Sequence, residues 1–349
     1  MLIVTIDSGT TNTRVRVWRG KTAIADASEP VGVRDTAITG SRAVLIGGVK
    51  KALDRALAQI QDGDAGHYVL VASGMITANV GLHPVPHLCA PVSLDDLVRG
   101  AVAHTIPEID ARPIWFIPGV KNAIEEPDAD HIDAIDVMRG EEVETFGLLM
   151  QHNLRGPALV VLPGSHSKFV LVDDRQRIVS SATTMAGELL DVLTHHTILT
   201  TSLDGRFAAA LDTDYLLKGA ESCRRVGLAR SCFGVRLLDL FTTASHDQKA
   251  SYLLGATFSS DLQAMRHSLA LNLAPETPIV ISGKPVLRQA LTTLIGADPF
   301  FRGSIMQANE DSTSPLSGIG AIAVMEKILQ QRQDFRVSHD CSTHQGIPT

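Results

Sequence analysis

Residues 7–14 read DSGTTNTR and follow directly on the apolar run LIVTI at 2–6. A loop that only reverses two strands needs about two to five residues and one glycine. This one spends an acid, a glycine, three threonines and an asparagine before it reaches Arg14. The run at 2–6 reads as a buried strand, 14–19 alternates Arg and Val as a half-exposed strand, and 21–27 continues after Gly20. The opening is therefore a three-stranded meander whose first loop is too rich in hydroxyls for a simple turn.

The same unit returns later in the chain. An apolar strand at 158–162 leads into the loop PGSHS, a strand at 168–172, the turn DDRQ and a strand at 177–182. Gly9 and Gly164 hold matching places in the two loops, and Arg14 and Lys168 open the two second strands. The chain thus reads as a duplication with a period near half its length. In the first half a helix near 42–61, a strand at 68–72, a helix capped by Ser93 and a strand at 113–118 follow the meander. In the second half helices are expected near 187–196, 212–226, 248–271 and from Pro285, with strands at 278–282 and near Ser304, and a final helix from Leu316. The expected fold class is α/β, with one lobe at 1–153, a second at 154–337, a cleft between them and a frayed tail at 338–349.

Composition removes several functions. The 349 residues carry a net charge of −7 with no block of like charge, so the footprint of a nucleic-acid or anionic-membrane binder is missing. The apolar runs fall far short of the roughly 18 residues of a membrane span, and a cytoplasmic location is expected. Four scattered cysteines form no CxxC pair, and thirteen histidines form no HExxH, which removes the usual zinc patterns. Nothing sets the oligomeric state, and a homodimer is left open.

Phosphate chemistry narrows in the same way. Gly20-Lys21-Thr22 resembles the end of a Walker A loop, but Val15 stands where that loop needs a glycine. Gly318-Ile-Gly320 imitates a dinucleotide fingerprint too close to the end of the chain, and close helix packing explains it better. The two glycine- and hydroxyl-rich loops remain. Asp7, ending a buried strand, suits a hydrated Mg2+ on a nucleotide; Gly9 allows phosphate to approach; Thr10, Thr11 and Asn12 are donors, and Arg14 adds charge. A third constellation, DVMRGEEVET at 136–145, begins a helix with acids. Its carboxylates are candidates for a general base toward a hydroxyl, with Arg139 steadying an anion.

These residues resemble a known family. DSGTTNTR, SGM at 73–75, PGV at 118–120, DVMRGEE, LPGSHSK at 162–168, GELL at 187–190 and GATFSSD at 255–261 are similar, in order, to the motifs of the 2-keto-3-deoxygalactonokinases (2-dehydro-3-deoxygalactonokinases). The resemblance implies a duplicated ribonuclease H-like fold of the actin-like ATPase kind, ATP with Mg2+, and phosphoryl transfer to the 6-hydroxyl of 2-keto-3-deoxygalactonate in galactonate catabolism. It places Asp7, Gly9, Thr10, Thr11 and Asn12 in the first phosphate loop, with Asp7 toward the metal, and Gly164, Ser165, His166 and Lys168 in the second. Gly283 and Lys284 would approach the adenosine, and Arg14, Gly74, Met75 and Arg139 the sugar acid. MRGEE is also similar to a glutamate stretch of exopolyphosphatases, which ranks Glu142 and Glu141 above Asp136 as base. Family members usually carry Trp at the places of Ser8 and Leu82 and Tyr near that of His87, in loops expected to line the sugar side.

Two other activities fit parts of the pattern. A polyphosphate or guanosine-phosphate hydrolase would use the same glutamates, but no basic groove is evident for a long polyanion. An actin-like nucleotide-switched ATPase shares the fold type, without an evident partner-binding insertion.

Overall fold

The opening run forms β1 (Leu2–Ser8), buried along almost its whole length. Such a strand needs a neighbour on each side, and the computed structural model, which describes residues 1–60, 66–124, 128–309 and 314–342, supplies both. After it come β2 (Thr13–Arg19), β3 (Thr22–Glu29), α1 (Val33–Thr39), α2 (Ala43–Leu57), β4 (Tyr68–Gly74), β5 (Leu88–Cys89), α3 (Leu94–Gly100) and β6 (Val102–His104). Next are β7 (Ile114–Phe116), the two-residue strands β8 (Val120–Lys121) and β9 (Val137–Met138), and α4 (Glu141–Gln151).

The second half runs β10 (Ala158–Leu162), β11 (Ser167–Val172), β12 (Ile178–Thr184), α5 (Ala186–His195), α6 (Leu199–Ser202), α7 (Thr213–Val226) and α8 (Leu228–Phe241). It ends with α9 (His246–His267), β13 (Ile279–Ile281), α10 (Pro285–Ala297), β14 (Ile305–Gln307) and α11 (Leu316–Ser342). One sheet has the order β3-β2-β1-β4-β7-β6 and the other β12-β11-β10-β13-β14. In each, the first strand of the meander is antiparallel to the second and parallel to the strand on its other side. The duplication read from the loops is therefore present in the topology. The first sheet alone adds β6, an exposed strand antiparallel to β7.

Local chemistry explains the ends of several elements. Ser93 caps α3 by accepting from the Asp96 amide, and the Asp96 carboxylate accepts from the Ser93 amide at 2.8 Å. Asp212 caps α7 in the same manner at the Tyr215 amide. The sequence reading leaves α1, α6, α8 and the short strands unplaced. In α8, Leu, Phe and Val recur on every side, so no period marks the helix.

Contacts group the described chain into two units. One comprises Met1–Val120, Met138–Leu154 and the C-terminal stretch with α11; its core holds Val4, Ile6, Val17, Leu45, Leu70 and Phe116. The other comprises Lys121–Val137 and the stretch from Arg155 through β14, with a core of Val161, Phe169, Leu254, Phe258 and Ile281. This division differs from the contiguous lobes read from the sequence, because α11 returns to pack on α4. A Cβ on Gly320 would stand 1.8 Å from the Val143 carbonyl oxygen, one on Gly147 2.0 Å from that of Leu316, and one on Gly318 2.1 Å from the Trp18 ring. The C-terminal glycines are thus helix-packing residues. Of the tail expected at 338–349, residues 338–342 continue α11 and the rest lie outside the described residues. Among the described residues no helix is long and apolar enough to cross a membrane.

Candidate active site

The loop after β1 is folded by its own backbone. The Gly9 amide donates to the Asn12 carbonyl at 2.9 Å, and the carbonyls of Gly9 and Thr10 accept from the Val33 and Arg34 amides at the start of α1. Gly32 makes that approach possible: a Cβ there would lie 2.4 Å from the Thr10 oxygen. With its base held, the loop leaves the side chains of Thr10, Thr11 and Asn12 exposed, the amide of Asn12 resting on the Thr11 hydroxyl at 2.9 Å. Arg14, also exposed, sits opposite Asp7 in the strand register.

Asp7 lies at the carboxyl end of β1, beside the parallel strand β4, where α/β sheets bind ligands. Burial pushes its carboxyl above the ordinary range, against the pull of Arg14 and Arg16. Gly74 follows at the end of β4 with φ +88°, and a Cβ on it would stand 3.2 Å from Asp7 Oδ1. A side chain at position 74 would therefore crowd the carboxylate. Gly140, with φ +113°, approaches in turn: its Cβ would come 3.3 Å from the Gly74 Cα. Met75 is half-buried next to this junction.

Gly140 is the N-cap of α4 and brings the glutamates with it. Glu142 is fully buried, and both its oxygens accept from the Gly140 amide, at 2.9 and 2.7 Å. Burial first, and then the neighbouring Glu141, push its carboxyl up to about 8, while Arg139 pulls the other way. Glu141 is half-buried and accepts from the Arg139 amide at 3.1 Å. The Arg139 guanidinium donates to Thr77 Oγ1 and to the Val85 carbonyl, both at 2.7 Å, and lies 3.3 Å from His87 Nδ1. Thr77 donates onward to the Gly74 carbonyl at 3.0 Å. The structure thus brings Asp7, Gly74, Met75, Arg139, Glu141 and Glu142 together within one unit.

The other unit repeats the arrangement around its own loop. Gly164, Ser165 and His166 are exposed, with His166 Nε2 3.0 Å from Glu188 Oε2. The Ser165 carbonyl accepts from the Glu188 amide, and a Cβ on Gly187 would lie 1.9 Å from the Gly164 oxygen, so α5 supports this loop as α1 supports the first. Gly283 parallels Gly74. It has φ +97°, follows the strand parallel to β10, and would set a Cβ 3.2 Å from the Pro163 oxygen, where Gly74 would set one 3.0 Å from that of Ser8. Lys284, the exposed N-cap of α10, comes next.

Lys168 and Asp136 are placed differently from the roles the sequence suggested. Lys168 is buried; its ammonium donates to the Val137 carbonyl at 2.8 Å and to the Thr183 hydroxyl, 3.8 Å from Asp136 Oδ1. Asp136, buried too, accepts from Thr183 at 2.7 Å and from the Val137 amide at 2.5 Å. The pair is a satisfied ionic network inside its own unit, and the structure does not join Asp136 to the glutamates of α4. Lys168→Met strands the buried carboxylate and is expected to cost about 3–5 kcal/mol, read as a lower urea midpoint. A phosphate contact would instead appear as a raised KM for ATP at unchanged stability.

With this geometry in view, residues 7–300 match the profile of the 2-keto-3-deoxy-galactonokinase family. The chain belongs to that family. It is 25% identical over 311 residues to the 2-dehydro-3-deoxygalactonokinase of Escherichia coli (strain K12), covering 86% of this chain and 95% of the relative. A crystal structure of a protein assigned as a 2-dehydro-3-deoxygalactonokinase, from Sinorhizobium meliloti, superposes with a TM-score of 0.70 at 23% identity, covering 93% of this chain and 99% of the other. The fold is the α/β actin-like ATPase fold, and membership makes this chain a phosphotransferase.

Of the three departures from the usual residues of this kinase family, two sit inside the fold. Thr13 spends its hydroxyl proton on the Val31 carbonyl at 2.8 Å, so the fully buried Ser8 must donate to it at 2.9 Å. Leu82 belongs to the core. His87 reaches Arg139, a residue expected to meet the sugar acid, through its side chain, whereas Ser8 borders Gly74 through its backbone. Sequence reasoning also passed over Gly32 as a support for the first loop; its signal was a second glycine just before a helix.

Proposed function

We propose that this member of the kinase family transfers the γ-phosphoryl group of ATP to the 6-hydroxyl of 2-keto-3-deoxygalactonate. The observation that supports this best is the convergence of Asp7, Gly74, Arg139 and Glu142 at the carboxyl ends of β1 and β4. Asp7 would hold the Mg2+ that accompanies the nucleotide and neutralises charge on its phosphates. Thr10, Thr11 and Asn12 in one loop, and Gly164, Ser165 and His166 in the other, supply donors for phosphate oxygens, with Gly283 and Lys284 toward the adenosine. Arg139, held at two of its nitrogens, and Arg14 orient the sugar carboxylate together with Gly74 and Met75. Glu142 accepts the hydroxyl proton as the oxygen attacks phosphorus.

The test is ATP-coupled turnover against a panel of 2-keto-3-deoxy sugar acids, with the phosphorylated carbon located by NMR. ATP consumption that requires 2-keto-3-deoxygalactonate and yields the 6-phosphate is the expected result. Turnover with none of the acids overturns the proposal, and phosphate release from ATP alone points to a hydrolase.

A further inference from the structure

Asp261, on α9, is fully buried and takes no part in the mechanism above. Its Oδ1 accepts from the Thr184 hydroxyl at 2.6 Å, while Oδ2 has no hydrogen-bond partner among the described residues. A buried carboxyl half-satisfied in this way is costly to keep in a helix that small apolar residues would fill. Its position gives a reason for the cost. Thr184 ends β12 and pairs across the hairpin with Ser167, the first residue of β11 and the one that directly follows the second loop. Beyond Thr184 the chain enters α5, whose Gly187 and Glu188 bear on Gly164 and Ser165. Asp261 therefore sits under the strand pair from which both the loop and its supporting helix spring. Burial pushes the carboxyl up to about 7, against the Thr184 hydroxyl, which favours its charged form.

We propose that Asp261 is a positioning residue for the nucleotide: by tying Thr184 to α9 it fixes the mouth of the second loop and so sets the grip on ATP. This rests on the reading of that loop as a phosphate binder. The effect reaches the nucleotide through the loop backbone, so it falls on ATP and not on the sugar acid. Asparagine, of the same shape, still accepts from Thr184; alanine cannot.

The experiment compares the full-length wild type with Asp261→Ala, Asp261→Asn and Thr184→Val. Kd for ATP with Mg2+ is measured by calorimetry without sugar acid, KM for each substrate in the coupled assay, and folding by circular dichroism. Asp261→Ala is expected to raise both the Kd and the KM for ATP about tenfold and to leave the KM for the sugar acid within about twofold. Asp261→Asn returns the Kd for ATP to within about threefold of wild type. A folded Asp261→Ala protein with wild-type ATP affinity, an equal rise in both KM values, or an Asn variant as weak as the Ala variant overturns the proposal. If Asp261→Ala does not fold, Thr184→Val decides: weaker ATP binding supports the tie and unchanged binding refutes it. A wild type that binds ATP but phosphorylates no sugar acid removes the proposed function while the ATP affinities still test Asp261; one that binds no ATP removes both.

Discussion

Asp7→Asn is expected to lower kcat on the order of 10²–10³-fold while making the protein more stable at neutral pH. The two effects share one cause. The carboxyl is held where burial disfavours its charge, and Arg14 and Arg16 only partly offset that burial. Its folded pKa is raised, so stability falls as pH climbs from the unfolded value and the full penalty remains above the folded value. An amide at this position carries no such penalty, and the melting temperature should rise at pH 8 and converge with wild type in acid. The same amide is a poor ligand for Mg2+, so the metal concentration needed for half-maximal rate should increase together with the loss of kcat. Steady-state kinetics across a magnesium series, alongside thermal melts at two pH values, checks both halves. A kcat within about threefold of wild type would mean that Asp7 does not hold the metal.

Glu142→Gln should lower kcat by roughly 10²-fold or more with little change in KM for ATP. The wild-type rate should also climb with pH until about 8, where the buried carboxyl gives up its proton, and the Gln variant should lose that rising limb. The sign follows from the role: a base works only after deprotonation, and the burial that raises its pKa also strengthens its pull on a hydroxyl proton. Glu141→Gln is the control, since that half-buried neighbour already caps the Arg139 amide. Equal losses in the two variants, or a pH profile unchanged in Glu142→Gln, would remove Glu142 from the role of base. Glutamine can still accept from the Gly140 amide, so the turn at the start of α4 should survive the exchange.

The parts of the fold legible in the sequence are those whose cause is local. Alternation in 14–19 and the apolar runs at 2–6 and 158–162 mark strands, and surplus hydroxyls and glycines mark the two loops between them. Ser73-Gly74 and Ser282-Gly283 were equally visible as words. Their equivalence was not, because it depends on β4 and β13 pairing with strands far away in the chain, and register across such a distance leaves no local trace. Lys168 shows the same limit from the other side. A lysine after PGSHS reads as a phosphate ligand until Thr183 and Asp136 arrive from elsewhere to neutralise it, although the apolar FVLV that follows already hinted at a buried strand. The acids of α4 read as a solvated helix start, whereas in the fold Glu142 is fully buried while Glu141 stays half-buried.

The return of α11 also bears on how such a doubled protein can be divided. Two repeats placed end to end would ordinarily separate into halves that each fold when expressed alone. Here the first half borrows its last helix from the end of the second, with Gly318 lying against Trp18 and Gly320 against the backbone of α4. A fragment cut after the first repeat exposes that seam to water, whereas one ending after β14 keeps the complete core of the other unit. The halves are alike in topology but unequal in independence.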